Sequence, residues 1–264
     1  MVAVVPAVPL IFITGASSGI GQALALRYHR AGYALALAAR RTENIKTWAN
    51  AHEISVDSYQ IYSCDVADVD SVVHAAQQCL ARQGVPDVVI ANAGISVGMD
   101  SAVRSDLVVM QRTFAVNNLG MAATFHPFIA AMVERGLGTL VGIGSVAGIR
   151  GLPGHGAYCA SKAAVTAYCE SLRGELRGTG VKVVTIAPGY VDTPLTQQNR
   201  YAMPFLLPAE TFAERAFAAI QAQTSYCVIP WQMAWVAKIL RLLPNAWFDY
   251  LLAGRPRKHR INEA

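Results

Sequence analysis

The sequence predicts an α/β protein with a single doubly wound domain, in which a seven-stranded parallel sheet is flanked by helices. Short apolar runs alternate with segments of helical composition along most of the 264 residues, which is the order of parallel strands joined by helices. The runs are continuously apolar, and this pattern indicates a sheet that is covered on both faces. The predicted strands are residues 10–13, 34–39, 59–63, 87–91, 140–144, 181–187 and 226–229.

The first strand leads directly into a glycine-rich turn and a helix. The turn is Thr14-Gly-Ala-Ser-Ser-Gly-Ile-Gly21, and its glycine spacing differs from the common G-x-G-x-x-G pattern. Small residues let the backbone approach a pyrophosphate, and the free N–H groups at the start of the following helix favour an anion. The sequence therefore predicts a dinucleotide site here.

The second strand ends in Arg40 and Arg41. In dinucleotide-binding folds, an acidic residue at this place binds the ribose 2′-hydroxyl of NAD, whereas arginine accommodates the 2′-phosphate of NADP. We therefore expect NADP(H) as the cofactor, with Arg40 as the main selectivity residue. The alternative is that the two arginines only begin a solvated loop.

Small and polar residues also follow the later strands. Asp65 is placed to meet an adenine edge, Asn92-Ala-Gly94 follows the fourth strand, Ser145 ends the fifth, and Pro188-Gly189 follows the sixth. Open α/β sheets bind ligands at the carboxyl ends of their strands. We therefore expect these motifs to line one cleft.

Tyr158 and Lys162 are the candidate acid/base pair. They are four residues apart in a helix predicted over residues 157–176, so their side chains share one face. The ammonium is expected to lower the pKa of the phenol from about 10 towards neutrality, which suits proton transfer to or from a substrate oxygen. Ser145 could hydrogen-bond the same oxygen. The alternative is that Tyr-x-x-x-Lys arises by chance in a helix.

In this order and spacing, the motifs resemble those of the classical short-chain dehydrogenase/reductase family over residues 10–229. The resemblance implies a Rossmann-like fold in which Tyr158 donates or accepts the proton and Ser145 orients the carbonyl or alcohol. It also implies that Lys162 lowers the pKa of the phenol and holds the nicotinamide ribose. Asn117, in the middle of a helix predicted over residues 105–135, would hold a water in the proton relay.

The residues expected to contact the cofactor form a longer set. They are Gly15, Ser17, Ser18, Gly19, Ile20, Arg40, Arg41, Asp65, Val66, Asn92, Ala93, Gly94, Tyr158, Lys162, Pro188, Gly189, Val191 and Thr193. Two positions depart from the family pattern. Ala91 stands where the family often has a second asparagine, and Ser18 stands where many NADP-dependent members carry a basic residue.

The predicted activity is an NADP(H)-dependent oxidoreductase that interconverts a carbonyl and a secondary alcohol by hydride transfer. Residues 194–208, the predicted lid, are rich in apolar side chains, and residues 148–156 form a second wall. Both favour an apolar or lipid-like substrate, unless the lid only packs on the body. The rival functions are a dinucleotide-sensing protein that has lost catalysis and an NAD-dependent alcohol dehydrogenase of the same fold. An epimerase or dehydratase is not expected, because those relatives use a larger C-terminal substrate domain.

Composition restricts the partners. Hydrophobic residues make up 53% of the chain and charged residues 15%, which suggests apolar surface that meets a partner. The net charge of +5 is concentrated in residues 255–260, which are interpreted as a solvated end and not as a nucleic-acid arm. The five cysteines are odd in number and widely spaced, which indicates reduced thiols in a cytoplasmic protein and no metal site. We expect neither a signal peptide nor a membrane span.

We divide the chain into a cofactor-binding and catalytic domain, residues 1–230, and an amphipathic helical extension, residues 231–264. Pro244 should divide the extension into two helices. Four polar residues with helical spacing, Lys238, Arg241, Asn245 and Asp249, are expected on one face. Its tryptophans suit peripheral membrane contact, and the alternatives are a cover over the substrate cleft or a subunit contact. The long helices 105–135 and 157–176 favour a homodimer or homotetramer.

Overall fold

The computed structural model describes residues 8–199, 201–254 and 257–260, and in it seven parallel strands form one sheet. The sheet strands are β1 Leu10–Thr14, β2 Ala34–Ala39, β3 Tyr59–Ser63, β4 Val88–Ala91, β5 Gly138–Ile143, β6 Val181–Pro188 and β9 Tyr226–Ile229. Two further short strands, β7 Val191–Asp192 and β8 Leu207–Pro208, pair with each other. The prediction of a seven-stranded parallel sheet is confirmed.

The helices alternate with these strands along the chain. They are α1 Gly19–Arg30, α2 Thr42–Ala51, α3 Val69–Arg82, α4 Leu107–Phe114, α5 Gly120–Arg135, α6 Gly156–Glu175, α7 Ala209–Gln221, α8 Trp231–Leu242 and α9 Asn245–Leu252. The strand order is β3-β2-β1-β4-β5-β6-β9, so the direction of winding reverses between β1 and β4. This reversal opens a crevice at the carboxyl ends of the strands, where such sheets bind ligands.

Each face of the sheet has its own buried core. Ile11 and Ile13 of β1 face a cluster that includes Leu24 of α1, while Phe12 faces the opposite cluster with Phe128 of α5. These strand residues are fully buried. Because successive strand side chains point to opposite faces, a continuously apolar strand supplies both cores.

One predicted helix is divided. Residues 105–135 form α4 and α5, separated by a π-helical turn at Ala115–Leu119 that contains Asn117. The buried Asn117 side chain accepts a hydrogen bond from the backbone N–H of Ile95 at 2.9 Å and donates one to the hydroxyl of Ser161 at 2.9 Å. The turn therefore coincides with a tertiary connection between the segment after β4 and helix α6.

The C-terminal helices are fastened to the loop after β5. Pro244 separates α8 from α9, as predicted, and Arg150 donates to the carbonyl oxygens of Leu240 and Leu243 at the end of α8. The same guanidinium lies 3.8 Å from the ring centroid of Phe248 in α9. Arg150 thus satisfies carbonyls that a helix end leaves without a helical partner.

The four polar residues of the extension are divided between its two helices. Lys238 and Arg241 lie on α8, whereas Asn245 and Asp249 lie on α9. Arg241 donates to the carbonyl of Ile149 at 3.1 Å, and Asn245 accepts from Arg150 at 2.9 Å. Arg241 and Asn245 therefore bond the same loop, on either side of the break at Pro244.

The interpretation of the basic C-terminal segment as a solvated end was wrong for the residues that the structure describes there. Lys258 is 9% exposed, and Arg260 makes a two-pronged ion pair with Asp106 at 2.7 and 3.1 Å. The backbone N–H of Gly98 donates to the carbonyl of His259 at 2.9 Å. Arg255 and Pro256 lie outside the described residues. The segment is held by a carboxylate that is distant in sequence, and no local pattern reports such a partner.

Replacing Gly148 by alanine tests how closely the loop after β5 packs on α6. A Cβ at Gly148 would lie 2.7 Å from the carbonyl carbon of Lys162, whereas a Cβ at Gly151 would meet nothing within 4 Å. We expect Gly148→Ala to lower the free energy of unfolding by about 1–3 kcal/mol through overpacking. Gly151→Ala, in the same loop, should change it by less than about 0.5 kcal/mol. Urea unfolding measures both variants, and equal midpoints for the two would contradict this account.

Candidate active site

The predicted motifs meet in one cleft at the carboxyl ends of the strands. All eighteen predicted cofactor contacts and Ser145 line this cleft; Asn117 does not, because it is buried behind Ile95. The cleft also contains residues that the sequence did not single out as contacts. These are Ala39, Cys64, Ile95, Val116, Ile143, Gly144, Pro194, Leu195 and Thr196. They belong to strand ends and adjoining loops whose apolar or small side chains carry no chemical signal in the sequence.

The glycines of the turn allow neighbouring backbone segments to approach it closely. Gly15 has a φ of +70°, and a Cβ there would lie 2.8 Å from the Cα of Ala93. A Cβ on Gly21 would lie 2.3 Å from the carbonyl oxygen of Gly15. The amide of Asn92 donates to the carbonyls of Thr14 and Gly15 at 3.0 and 3.2 Å, and so joins the end of β4 to the turn. Glycine is therefore required at both positions for the turn to pack against the end of β4.

The start of α1 lies at the same place. Ser18 is its N-cap residue and makes no side-chain capping bond, and the first turn contains no acidic residue. The N–H groups and the positive end of the helix dipole therefore face the cleft without a carboxylate from that turn. These features fit the pyrophosphate of a dinucleotide.

The two arginines after β2 approach the cleft from its rim. Arg40 forms a long ion pair with Asp65, with 3.5 Å between Nη1 and Oδ2, and both side chains are about half exposed. Arg41 donates to the hydroxyl of Ser18 at 3.4 Å. Asp65 also accepts a hydrogen bond from the backbone N–H of Ala67 at 3.1 Å. The rim thus presents two guanidinium groups beside the start of α1.

Tyr158, Lys162 and Ser145 lie together deeper in the cleft. Ser145 lies close enough to the Tyr158 phenol to oppose the rise of its pKa, and the Ser145 hydroxyl oxygen accepts a hydrogen bond from the backbone N–H of Ala147 at 3.1 Å. The Lys162 ammonium lies 5.8 Å from the Tyr158 ring centroid and donates to the carbonyl of Ile143 at 2.8 Å. These positions place a hydroxyl, a phenol and a buried cation around one point.

The expected lowering of the phenol pKa is not found in the protein by itself. Burial raises the pKa of Tyr158, and this effect outweighs the opposing hydrogen bond from Ser145. Burial also lowers the pKa of Lys162 to about 8. The prediction considered only the attraction between phenolate and ammonium, whereas loss of water around both groups disfavours both charged forms. The phenol is therefore protonated at neutral pH and can act as a proton donor.

Asn117 connects the catalytic helix to the loop after β4. Its amide nitrogen donates to the carbonyl of Ile95 at 3.1 Å and to the Ser161 hydroxyl at 2.9 Å. Ser161 in turn donates to the backbone carbonyl of Tyr158 at 2.8 Å. The side chain therefore fixes the turn of α6 that carries the phenol. Its role in holding a water stays a prediction.

The residues of the predicted lid differ in whether they contact the body of the protein or face solvent. The Tyr201 hydroxyl lies 3.3 Å from Nε2 of His155, and its ring packs edge-on against the imidazole. Phe205 and Leu206 are 48% and 40% exposed, so a large part of their apolar surface faces solvent. Arg200 lies outside the described residues. Tyr201 is therefore the lid residue that the structure connects to the catalytic helix.

Comparison with known proteins agrees with this arrangement. The sequence profile for short chain dehydrogenase matches residues 9–203. An uncharacterized oxidoreductase of Myxococcus xanthus is 38% identical over 237 residues, which cover 90% of this chain and 93% of the relative. The profile covers β1 to β7, and the match with the relative covers most of the chain.

Two solved structures are similar in fold. The alcohol dehydrogenase of Thermococcus sibiricus, complexed with 5-hydroxy-NADP, is 27% identical, with a TM-score of 0.73 over 84% of this chain and 95% of that one. A short-chain dehydrogenase/reductase of Burkholderia phymatum, in complex with NAD, is 23% identical, with a TM-score of 0.79 over 95% and 96% of the two chains. The sheet order, the glycine turn, the Ser145–Tyr158–Lys162 cluster and these matches agree. The chain belongs to the short-chain dehydrogenase/reductase family of oxidoreductases.

Proposed function

We propose that the protein is an NADP(H)-dependent oxidoreductase that interconverts a carbonyl and a secondary alcohol on an apolar substrate. The observation that carries the proposal is the grouping of Ser145, the Tyr158 phenol and the buried Lys162 in the cleft that the glycine-rich turn also lines. A dinucleotide-sensing protein without catalysis would have no need of this cluster.

The chain's own groups account for the proton. A bound nicotinamide cofactor supplies the hydride. Tyr158, protonated at neutral pH, gives its proton to the carbonyl oxygen, and Ser145 donates a hydrogen bond to the same oxygen. An ammonium has three donors, and Lys162 uses one on Ile143. Its other donors are directed to ribose hydroxyls, and its charge stabilises the phenolate that proton transfer leaves behind.

The selectivity for NADP rests on Arg41 as much as on Arg40. Ser18 stands where many family members carry a basic residue, and the Arg41 guanidinium reaches its hydroxyl at 3.4 Å. A cation is thus supplied to that place from the next loop. Guanidinium groups bind phosphate through charge-assisted, often paired hydrogen bonds. This arrangement favours the 2′-phosphate over the free 2′-hydroxyl of NAD.

The lining of the inner cleft favours an apolar substrate. Ile95, Val116 and Leu195 are among the apolar residues that line the cleft. Contacts of this kind select substrates by buried apolar area. An apolar ketone or the corresponding alcohol is the proposed substrate class.

A homo-oligomer is proposed through α4 and α6. Leu107 and Val108 of α4 are each 55% exposed, and Tyr168 of α6 is 37% exposed. The two helices pack beside each other, so these side chains belong to one face of the molecule. Apolar patches of this kind mark interaction sites.

The surface of α8 and α9 is proposed to contact the face of a lipid bilayer. Its tryptophans Trp231, Trp235 and Trp247 are 65%, 59% and 67% exposed, and Lys238 and Arg241 lie among them on α8. Exposed tryptophans with basic neighbours suit an interfacial position on anionic lipid. Among the described residues, no helix has the length and apolar character that crossing a bilayer requires. The five free cysteines favour a cytoplasmic location for this contact.

Replacing Tyr158 by phenylalanine tests the catalytic assignment. The change removes the proton donor and keeps the ring, so ketone reduction should fall by about 10²–10⁴-fold, while NADPH still binds. Turnover is followed by NADPH oxidation and binding by fluorescence titration. Retention of more than a tenth of the wild-type rate, with binding intact, would refute the role of Tyr158.

Replacing Arg41 by alanine tests the cofactor preference. Loss of a charge-assisted hydrogen bond should lower kcat/KM for NADPH by about 10–100-fold. With NADH, which has no 2′-phosphate, the change should be less than about twofold. Arg30→Ala removes the same charge from the exposed end of α1 and serves as the control. An equal loss with both cofactors would assign Arg41 to folding of the rim and not to the phosphate.

The membrane proposal is tested with the variant Trp231→Gln/Trp235→Gln/Trp247→Gln. Sedimentation with phosphatidylcholine–phosphatidylglycerol vesicles should show binding of the wild type and a loss of about tenfold or more in the variant. The matched control, Leu107→Gln/Val108→Gln, changes exposed apolar residues on α4 and should alter the oligomeric mass instead. If the tryptophan variant changes the mass and not vesicle binding, the surface of α8 and α9 is a subunit contact.

A further inference from the structure

The C-terminal segment 257–260 is held against the loop after β4 and the turn before α4, through Gly98 and Asp106. Arg260 and Asp106 are 154 residues apart in sequence and form the paired ion contact described above. Gly98 forms an isolated parallel bridge with Arg260, and a Cβ on Gly98 would lie 2.2 Å from the carbonyl oxygen of Lys258. The contact therefore requires glycine at position 98. The segment is therefore packed closely against the backbone of the loop after β4.

Lys258 is buried in this contact, and its hydrogen-bond partner among the described residues is an uncharged hydroxyl. Its side chain is 9% exposed, and its ammonium donates to the hydroxyl of Ser96 at 3.1 Å. Within the described ranges, no carboxylate lies within 4.0 Å of it; the nearby Asp106 is engaged by Arg260. Burial lowers the pKa of Lys258 accordingly. A buried ammonium without a counter-charge is unfavourable unless a ligand compensates it.

The surroundings of Lys258 connect it to the catalytic helix. Ser96 follows Ile95, whose N–H and carbonyl are both bonded by Asn117. His155 is the N-cap residue of α6, three residues before Tyr158, and the charge of Lys258 contributes to lowering its pKa. His155 is thus a neutral imidazole at neutral pH, and burial is the main cause.

Tyr201 completes the group. Its hydroxyl lies 3.3 Å from Nε2 of His155. The Tyr201 phenol is also close enough to Tyr158 for the charge of one to influence the pKa of the other. An ammonium, an imidazole and two hydroxyls are therefore connected in one cluster, next to Ile95 and Tyr158, which line the cleft.

We propose that Lys258, together with Ser96, His155 and Tyr201, forms a recognition site for an anionic group of the substrate, a carboxylate or a phosphate. The inference rests on the proposed function, because it specifies which ketones the enzyme selects. The substrate is then an apolar ketone that carries a negative charge near its carbonyl. Hydroxyl and imidazole donors around a buried ammonium provide several charge-assisted hydrogen bonds to such a group.

The test compares matched ketones in the full-length protein. The anionic probes are 4-oxodecanoate and 2-oxodecyl phosphate, and the neutral probes are methyl 4-oxodecanoate and 2-decanone. The wild type should prefer the anionic probes by about tenfold or more in kcat/KM. In Lys258→Met this preference should fall by about tenfold or more, mainly through KM, and Lys258→Arg should restore most of it. The anionic probe whose kcat/KM falls more in Lys258→Met identifies the anion as a carboxylate or a phosphate.

Arg257→Met provides the matched control. It removes the same charge from the neighbouring, exposed residue and should keep the preference for anionic probes. If Lys258→Met loses activity equally on anionic and neutral ketones, or keeps the wild-type preference, the recognition site is refuted while the proposed oxidoreductase function stands. Should Lys258→Met fail to fold by circular dichroism, Ser96→Ala and Tyr201→Phe are measured on the same probes and must reduce the preference.

A second measurement separates failure of the site from failure of the proposed function. If the wild type reduces none of the ketones, calorimetry with octyl phosphate and octanol, which carry no carbonyl, still tests the site. Octyl phosphate should bind the wild type and bind Lys258→Met about tenfold or more weakly, and octanol should not distinguish them. Equal binding of octyl phosphate to both proteins would overturn the inference.

Discussion

The hydrogen bond from the buried Lys162 ammonium to the carbonyl of Ile143, at 2.8 Å, is the constraint on which the active site depends. It joins the catalytic helix α6 to the end of β5, where the chain turns to present Ser145. A fully desolvated ammonium is unfavourable, so the helix must stay close enough to the strand for the bond to persist. Gly148 permits that approach, because a Cβ there would lie 2.7 Å from the carbonyl carbon of Lys162. The position of Tyr158, one turn earlier, follows from the same contact.

The loop after β5 also holds the C-terminal helices, through Arg150. This side chain joins the end of α8 to α9, and the neighbouring Arg241 returns a hydrogen bond to Ile149. The proposed bilayer surface is therefore connected through one short loop to Ser145, the residue proposed to bind the substrate oxygen. A substrate that enters from the lipid side would meet this loop first. The C-terminal helices therefore help to position the loop after β5, which begins at the cleft.

The sequence was sufficient for the strands and for most of the cleft, because these depend on local patterns. Apolar runs predict β1 to β6 and β9, and glycines and polar residues at the strand ends predict which edge binds a ligand. The burial of Lys258 could not be predicted, since it depends on Asp106, which is 154 residues from Arg260. The direction of the Tyr158 pKa shift was missed for a related reason. The spacing of Tyr158 and Lys162 indicates attraction, whereas the extent of their burial is a property of the folded structure.

Lys162 and Lys258 pose the same physical problem. Each is a buried ammonium with a single oxygen partner among the described residues, a carbonyl in one case and a hydroxyl in the other. Each therefore gains stabilisation when a ligand brings further oxygens. For Lys162 the proposed ligand is the cofactor ribose, and for Lys258 it is an anion on the substrate. An apolar ketone with an anionic group is amphiphilic, and such a molecule concentrates at a bilayer surface because its chain enters the lipid while its charge stays in water. The apolar lining of the cleft, the buried cation beside it and the exposed tryptophans of α8 and α9 thus have one common explanation in the chemistry of the substrate.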